Sequence, residues 1–281
     1  MKRLFLLLFG LLLAAVSSLA AAAGQPTLSV GLFPNLSARQ LVETYQPLRE
    51  FLEQRLGRPV MLYTAPDFKS FVSRTQHGEY DIIVTAPHFA RLAQVDGGYQ
   101  PLFAYRSDIT AALVVPGNSR ISGFAQLHGT KIIAPDRLAL VTMLGLKLLH
   151  DHGLDAGRDY TLQETATHGN VALAVQRGEA QAGIIGALPL KQLPENTSRQ
   201  LHVLSLTPAV PSQMLLAHPG LASKQLQQLK DAMLQFEQSD AGQKFFQSTG
   251  FAGLKALSAA DLKQLDPYAK EVKRMLELPV K

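Results

Sequence analysis

Two short stretches carry the chemistry this chain can offer. Pro135-Asp136-Arg137 and Thr167-His168-Gly169-Asn170 each stand between an extended run and the start of an apolar helical pattern. The first backbone N–H groups of a helix have no partner inside it and sit at the positive end of its dipole, so such a junction is a seat for an anion. Arg137 adds a guanidinium fork suited to carboxylate or phosphate, and Thr142, Thr167, His168 and Asn170 add hydroxyl, imidazole and amide donors. In the N-terminal third, Asn35 follows a first strand and Thr85-Ala86 precede a helix that opens with Pro87. This is recognition by hydrogen bonds and dipoles, without bond breaking.

No motif points to catalysis. The chain lacks a GxSxG elbow, a GxxxxGK[ST] phosphate loop and a GxGxxG fingerprint, and Asp67, Asp81 and Asp136 fall on separate elements. Its eight histidines show no HExxH spacing, and zero cysteines remove thiolate ligands, Cys nucleophiles and disulfides. The expectation is therefore no cofactor and no metal. Residues 1–23 combine Lys2-Arg3, an apolar run from Leu4 to Leu13 and an Ala-rich end, the pattern of a secretory signal peptide. The net charge of +5 falls to +3 once Lys2 and Arg3 leave with that segment, too small a surplus for a nucleic-acid footprint. It is compatible with a small anionic ligand.

The elements that would position these residues follow from periodicity. Leu28 to Phe33 is a strand, and Gln40 to Gly57 places Leu41, Tyr45, Leu48, Leu52 and Leu56 on one helical face, with Pro47 expected to split or bend it. Val60 to Thr64 is a second strand; Asp67 caps a helix ending at His77-Gly78; Asp81 to Val84 is a buried strand. Tyr99 to Tyr105 and Ile109 to Val115 read as extended, Lys131 to Ala134 and Thr161 to Glu164 as strands each feeding a helix, and Ala182 to Ile185 as another strand. A polar turn at Pro194 to Ser198 precedes extended runs Leu201 to Leu206 and Gln213 to Ala217. Helices then dominate, over Gln225 to Phe236, Gln243 to Gln247 and Asp261 to Leu276. Lys263, Lys270, Lys273 and Arg274 form the solvated face of the last. Alternating strands and helices predict an α/β fold with mostly parallel sheets. Crossings near 106–112 and 202–212 divide it into residues 24–108 with 209–281 as one lobe and 109–208 as the other.

Several motifs, in order, resemble the phosphate/phosphite/phosphonate substrate-binding proteins of ABC importers. They are the loop from Gly31 to Pro34, Gly78-Glu79-Tyr80-Asp81-Ile82 before the Thr85-Ala86-Pro87 turn, Tyr105 before the first crossing, and Thr167-His168-Gly169-Asn170 followed by Ala174-Val175-Gln176-Arg177-Gly178. The resemblance spans nearly the whole chain after residue 23. It implies a two-lobed type II periplasmic-binding-protein fold with two hinge crossings and a ligand held between the lobes. It also implies Phe68 and Tyr105 as pocket aromatics and Thr85-Ala86-Pro87 and Thr167-His168-Gly169-Asn170 as polar anchors. One departure stands out: the family's hydroxyl cluster after an Asp-Pro turn is replaced here by Arg137-Leu138-Ala139-Leu140-Val141, leaving only Thr142.

The expected protein is thus a periplasmic, monomeric solute-binding component of an ABC importer. It captures a small anionic ligand, phosphonate-like, phosphate-like or another oxyanion, and hands it to a permease in the inner membrane. Two alternatives stand beside it: a periplasmic sensor docking on a membrane receptor such as a histidine kinase, and an exported enzyme of unknown type.

Overall fold

In the strand Leu28–Leu32 (β1), Gly31 leaves no room for a side chain, because a Cβ there would stand 2.6 Å from the Tyr80 ring. The computed structural model describes residues 26–277, so the signal peptide read in residues 1–23 lies outside the described residues. After β1, helix α1 (Ala38–Leu56) opens on Ser37, whose side chain accepts from the Gln40 N–H, and buries Leu41, Tyr45, Leu48 and Leu52. It runs through Pro47 without a break, so of the split or bend expected from the sequence the split does not occur. A proline inside a helix costs about 3 kcal/mol, whereas burying each of those four side chains contributes roughly 1.5–3 kcal/mol, so packing wins.

The chain continues through β2 (Val60–Tyr63), α2 (Phe68–Gln76), β3 (Ile82–Thr85), α3 (Pro87–Gly97), β4 (Gln100–Tyr105), β5 (Asp108–Ile109) and β6 (Ala111–Pro116). Then come β7 (Lys131–Ala134), α4 (Leu140–Asp151), β8 (Thr161–Glu164), α5 (His168–Gln176), β9 (Ala182–Gly186) and two short helices, α6 (Ala187–Lys191) and α7 (Glu195–Ser198). The return leg is β10 (Leu201–Leu206), β11 (Val210–Pro211), β12 (Met214–Ala217), α8 (Ser223–Gln238), α9 (Asp240–Thr249), β13 (Leu254–Lys255), α10 (Ala259–Lys263) and α11 (Asp266–Glu277). The last helical pattern, read as one element from Asp261, is two helices. Pro267 lacks an N–H and suits the first turn of a new helix rather than the middle of an old one.

Two sheets result, ordered β13-β4-β12-β3-β1-β2 and β10-β6-β9-β7-β8, with β5 and β11 paired between them. Parallel pairing is confined to β2-β1-β3 and to β8-β7-β9; the remaining pairs are antiparallel. The sheets are therefore mixed rather than mostly parallel. The strands that carry the chain out of the first sheet and back again have no crossover helix, which a parallel neighbour would require.

Helices cover both faces of each sheet. On the first, Leu41, Tyr45 and Leu52 of α1 pack with Phe236, Phe245 and Phe246 of α8 and α9. On its other face Phe71, Phe89 and Val272 belong to a core that continues into Leu140, Met143 and Leu144 of α4, beneath the second sheet. Val171, Ala172 and Val175 of α5 close the far face of that sheet.

Candidate functional site

A cleft of about 1180 Å³ lies between the two sheets. Its walls are the loops that follow β1, β2, β3, β7, β8 and β9, so helix starts point at it from both sides. Three of those starts have no side-chain cap: α3 follows Ala86, α4 follows Ala139 and α6 follows Gly186. A side-chain oxygen would ordinarily satisfy first-turn N–H groups; at α3 and α4 the sequence supplies Ala and leaves them for something else, whereas at α6 the Ala187 N–H already donates to the Thr110 carbonyl at 2.8 Å and Pro189 has no N–H. The other three starts are capped, that of α1 by Ser37. Asp67 accepts from the Ser70 N–H at 2.6 Å and Thr167 accepts from the Asn170 N–H at 3.1 Å. That backbone hydrogen bond holds the Asp67 carboxyl below its usual range.

Of the residues expected from the sequence, Asn35, Phe68, Ala86, Thr167 and His168 line this cleft. Phe68 stands between Phe33, at 6.3 Å between ring centroids, and Phe89, at 5.5 Å, forming an aromatic wall. His168 is mostly buried, and its Nδ1 accepts from the Gly186 N–H at 3.4 Å, so Nε2 carries the proton and is the ring's donor. Burial lowers its pKa and keeps the imidazole neutral.

The other five are placed elsewhere, each for a definite reason. Thr85 is wholly buried in β3, paired opposite Met214 in the sheet. Tyr105 sits one layer behind the wall, stacked at 4.1 Å on Phe251, which does face the cleft; burial pushes its phenol well above the usual range. Thr142 is buried and returns its hydroxyl to the Pro135 carbonyl at 3.2 Å, pinning the loop rather than offering a donor. Arg137 turns away from the cleft, and its guanidinium pairs with Glu164 at the cleft's edge. Asn170 lies on the exposed side of α5, and only its backbone takes part, in the Thr167 cap.

Sequence reasoning underrated Tyr45, Gln213, Phe33, Phe89 and His88, all of which line the cleft. The Tyr45 hydroxyl lies 3.3 Å from Gln213 Oε1, and burial pushes this phenol up to about 12. A helical face shared with Leu41 and Leu48 disguised Tyr45 as core. His88 was marked only by its place just after Pro87 at a helix start.

No lysine or arginine lines the cleft, whereas Asp67, Asp108, Asp136 and Glu164 do. Positive potential there comes from backbone dipoles, not side-chain cations. The arrangement can grip a polar head with N–H groups and cover an apolar remainder with aromatic rings. Among the described residues, no group of three or more His, Asp or Glu side chains is set to hold a metal ion.

Two α/β lobes, joined by paired crossing strands around such a cleft, define the type II periplasmic-binding-protein fold. A Xanthomonas citri protein solved with chloride superposes with a TM-score of 0.77 at 18% identity, over 89% of this chain and 99% of its own. PhnD1 from Prochlorococcus marinus, in complex with methylphosphonate, gives 0.71 at 15% identity over 88% and 98%. A binding protein component of a Pseudomonas aeruginosa ABC phosphonate transporter gives 0.70 at 17% over 92% and 91%. At these identities the likeness is one of fold. The family model for the periplasmic substrate-binding protein of phosphonate ABC transporters matches residues 30–262, and this chain belongs to that family. Proteins of the family are periplasmic substrate-binding proteins rather than enzymes. None of the described helices is long and apolar enough to cross a membrane.

Proposed function

We propose that this chain is exported by its leader, residues 1–23, and works as a monomer that captures a small oxyanion between its lobes for a membrane permease. The lobes are residues 24–108 with 209–281, and 109–208. The observation that carries this reading is the convergence of uncapped helix starts from opposite lobes, α3 against α4, on one aromatic-walled cleft. Asn35, Thr167 and the His168 Nε2–H supply side-chain donors, Ala86 lets the α3 start approach closely, and Phe68 covers the rest of the ligand. Ligand contacts from both lobes favour the shut form, to the extent that affinity differs between open and shut states.

The methylphosphonate in the Prochlorococcus relative supports a phosphonate-class head group. The loop from Arg137 to Val141 offers no hydroxyl, so affinity for that head rests on backbone N–H groups. A thermal-shift screen over phosphate, phosphite, methylphosphonate, alkanesulfonates, carboxylates and amino acids tests the reading. A ligand present at about 100 times its Kd adds roughly 2.7 kcal/mol, which for a domain of this size raises Tm by roughly 5–10 °C. An oxyanion is expected to be among the hits. A screen in which only cationic compounds stabilise, or sustained turnover of a bound compound, overturns it.

A further inference from the structure

His88 occupies the second position of α3 and is 0% exposed. Its Nε2 lies 2.8 Å from the carbonyl oxygen of Leu138, in the β7–α4 loop of the other lobe. A carbonyl only accepts, so Nε2 holds the proton and Nδ1 is bare; Nδ1 is buried and has no partner. Among the described residues, this is the one side-chain hydrogen bond that joins the lobes away from the crossing strands. The other side-chain bonds and ion pairs stay within a lobe, as Arg91 with Asp266 and Arg137 with Glu164 do, or lie at the crossings, as Thr207 with Ala111 does.

The acceptor is held firmly. Asp136 Oδ1 accepts from the Leu138 N–H at 2.7 Å, the Asp136 carbonyl accepts from the Ala139 N–H at 2.9 Å, and the Thr142 hydroxyl bonds the Pro135 carbonyl. The Leu138 carbonyl is thus set within the second lobe before the first lobe meets it. One residue further on, Ala139 begins α4, whose uncapped N–H groups edge the cleft.

We propose that His88 is a positioning residue that couples lobe closure to presentation of the α4 start, by donating Nε2–H to the Leu138 carbonyl only when the lobes meet. The proposal rests on the cleft being the ligand site, but its test does not require the ligand. Opening separates donor from acceptor and returns the ring to water. In the closed form burial lowers the imidazole pKa from 6.5 to about 4, opposed only in part by the bond to Leu138. A second proton on Nδ1 would have no acceptor.

Apart from Lys69 and Lys270, the charged groups on the surrounding elements are engaged elsewhere or capping, as Lys147 with Asp151 is on α4. On α3 and α11, Arg91 pairs with Asp266 and Asp96 with Lys273; Lys270 lies on the same α11. On α2, Arg74 donates to the Thr64 carbonyl, Asp67 caps the helix and Lys69 is in its first turn. Across the cleft, Asp136 accepts from Leu138, Asp108 pairs with Lys255 and Glu164 pairs with Arg137. His168 is the second imidazole there, and burial lowers its pKa as well. The packed strands β3, β4 and β12 carry no ionisable acid or base near it other than Tyr105.

The sign follows from the lowered value. The open form takes up a proton more readily, so closure is fully favoured above the ordinary pKa and weakens as pH falls through the interval between 6.5 and about 4. From pH 7.5 to 5.5 the closing equilibrium drops about tenfold on account of His88.

The test uses the full mature chain without ligand. The chain has no cysteine, so Val42→Cys and Leu173→Cys, both exposed, on opposite lobes and outside the cleft, take nitroxide labels cleanly. Their separation is read by pulsed electron paramagnetic resonance. His88→Leu is expected to move population toward longer distances at pH 7.5. His88→Gln, whose amide can still donate to Leu138, should keep the short distance and lose the tenfold acid response of the parent, retaining only the part due to His168. Unchanged distances in His88→Leu, a parent that does not open toward pH 5.5, or a His88→Gln protein that titrates like the parent each overturn the proposal. If His88→Leu does not fold, the comparison of His88→Gln with the parent decides alone.

Discussion

Helix α4 lies on strand β9 at a glycine, and that contact makes a quantitative prediction. A Cβ added at Gly145 would stand 2.6, 2.7 and 2.8 Å from Cγ2, Cδ1 and Cγ1 of Ile184, which is 0% exposed and cannot swing into solvent. Gly145→Ala therefore forces the helix off the strand or Ile184 off its rotamer, which costs about 1–3 kcal/mol. Alanine's better helix propensity returns about 1 kcal/mol. Overpacking wins at the upper end of that range, and the net loss of up to about 2 kcal/mol lowers Tm by up to roughly 8 °C. Ile184→Ala alone costs about 2–5 kcal/mol through the cavity it leaves. In the double variant the new methyl enters that cavity, so the pair should be less destabilised than the sum by at least about 1 kcal/mol. Urea unfolding followed by circular dichroism, on the parent and the three variants, measures this cycle. A Gly145→Ala protein as stable as the parent, with effects additive within about 0.5 kcal/mol, would refute the claim that α4 is seated by contact with Ile184. Because α4 begins at the cleft, the same substitution should also weaken ligand binding.

Two further outcomes follow from the site. His168→Ala removes the Nε2–H donor while leaving the Thr167 cap, so calorimetry with the screened ligand should show affinity reduced at least several-fold with the fold intact; unchanged affinity removes His168 from the site. Arg137→Ala should leave that affinity within about twofold, since Arg137 does not line the cleft and its half-exposed pair with Glu164 is a weak one. A tenfold loss would mean that Arg137 reaches the cleft.

Helix starts were legible because their signals are local. Asp67, Thr167 and Pro87 stand where caps and first-turn prolines must, and the structure places helices there. Side-chain direction was not legible, because it is decided by partners far away in sequence. Arg137 is claimed by Glu164 on the neighbouring strand, Tyr105 by Phe251 on the return leg, and Thr142 by a carbonyl seven residues back. Strand direction was hidden for a similar reason: with helices on both faces of each sheet, an apolar run such as Met214 to Ala217 looks the same parallel or antiparallel. His88 escaped notice because a lone histidine gains meaning only when Leu138, fifty residues on, arrives opposite it.

The placement of β12 between β3 and β4 has a consequence for how this protein is made. During synthesis β1 to β4 leave the ribosome early, but the gap at the middle of their sheet stays unfilled until residues 214–217 emerge, after the entire second lobe. The strands of the first sheet thus cannot finish pairing until that late and distant segment has been made.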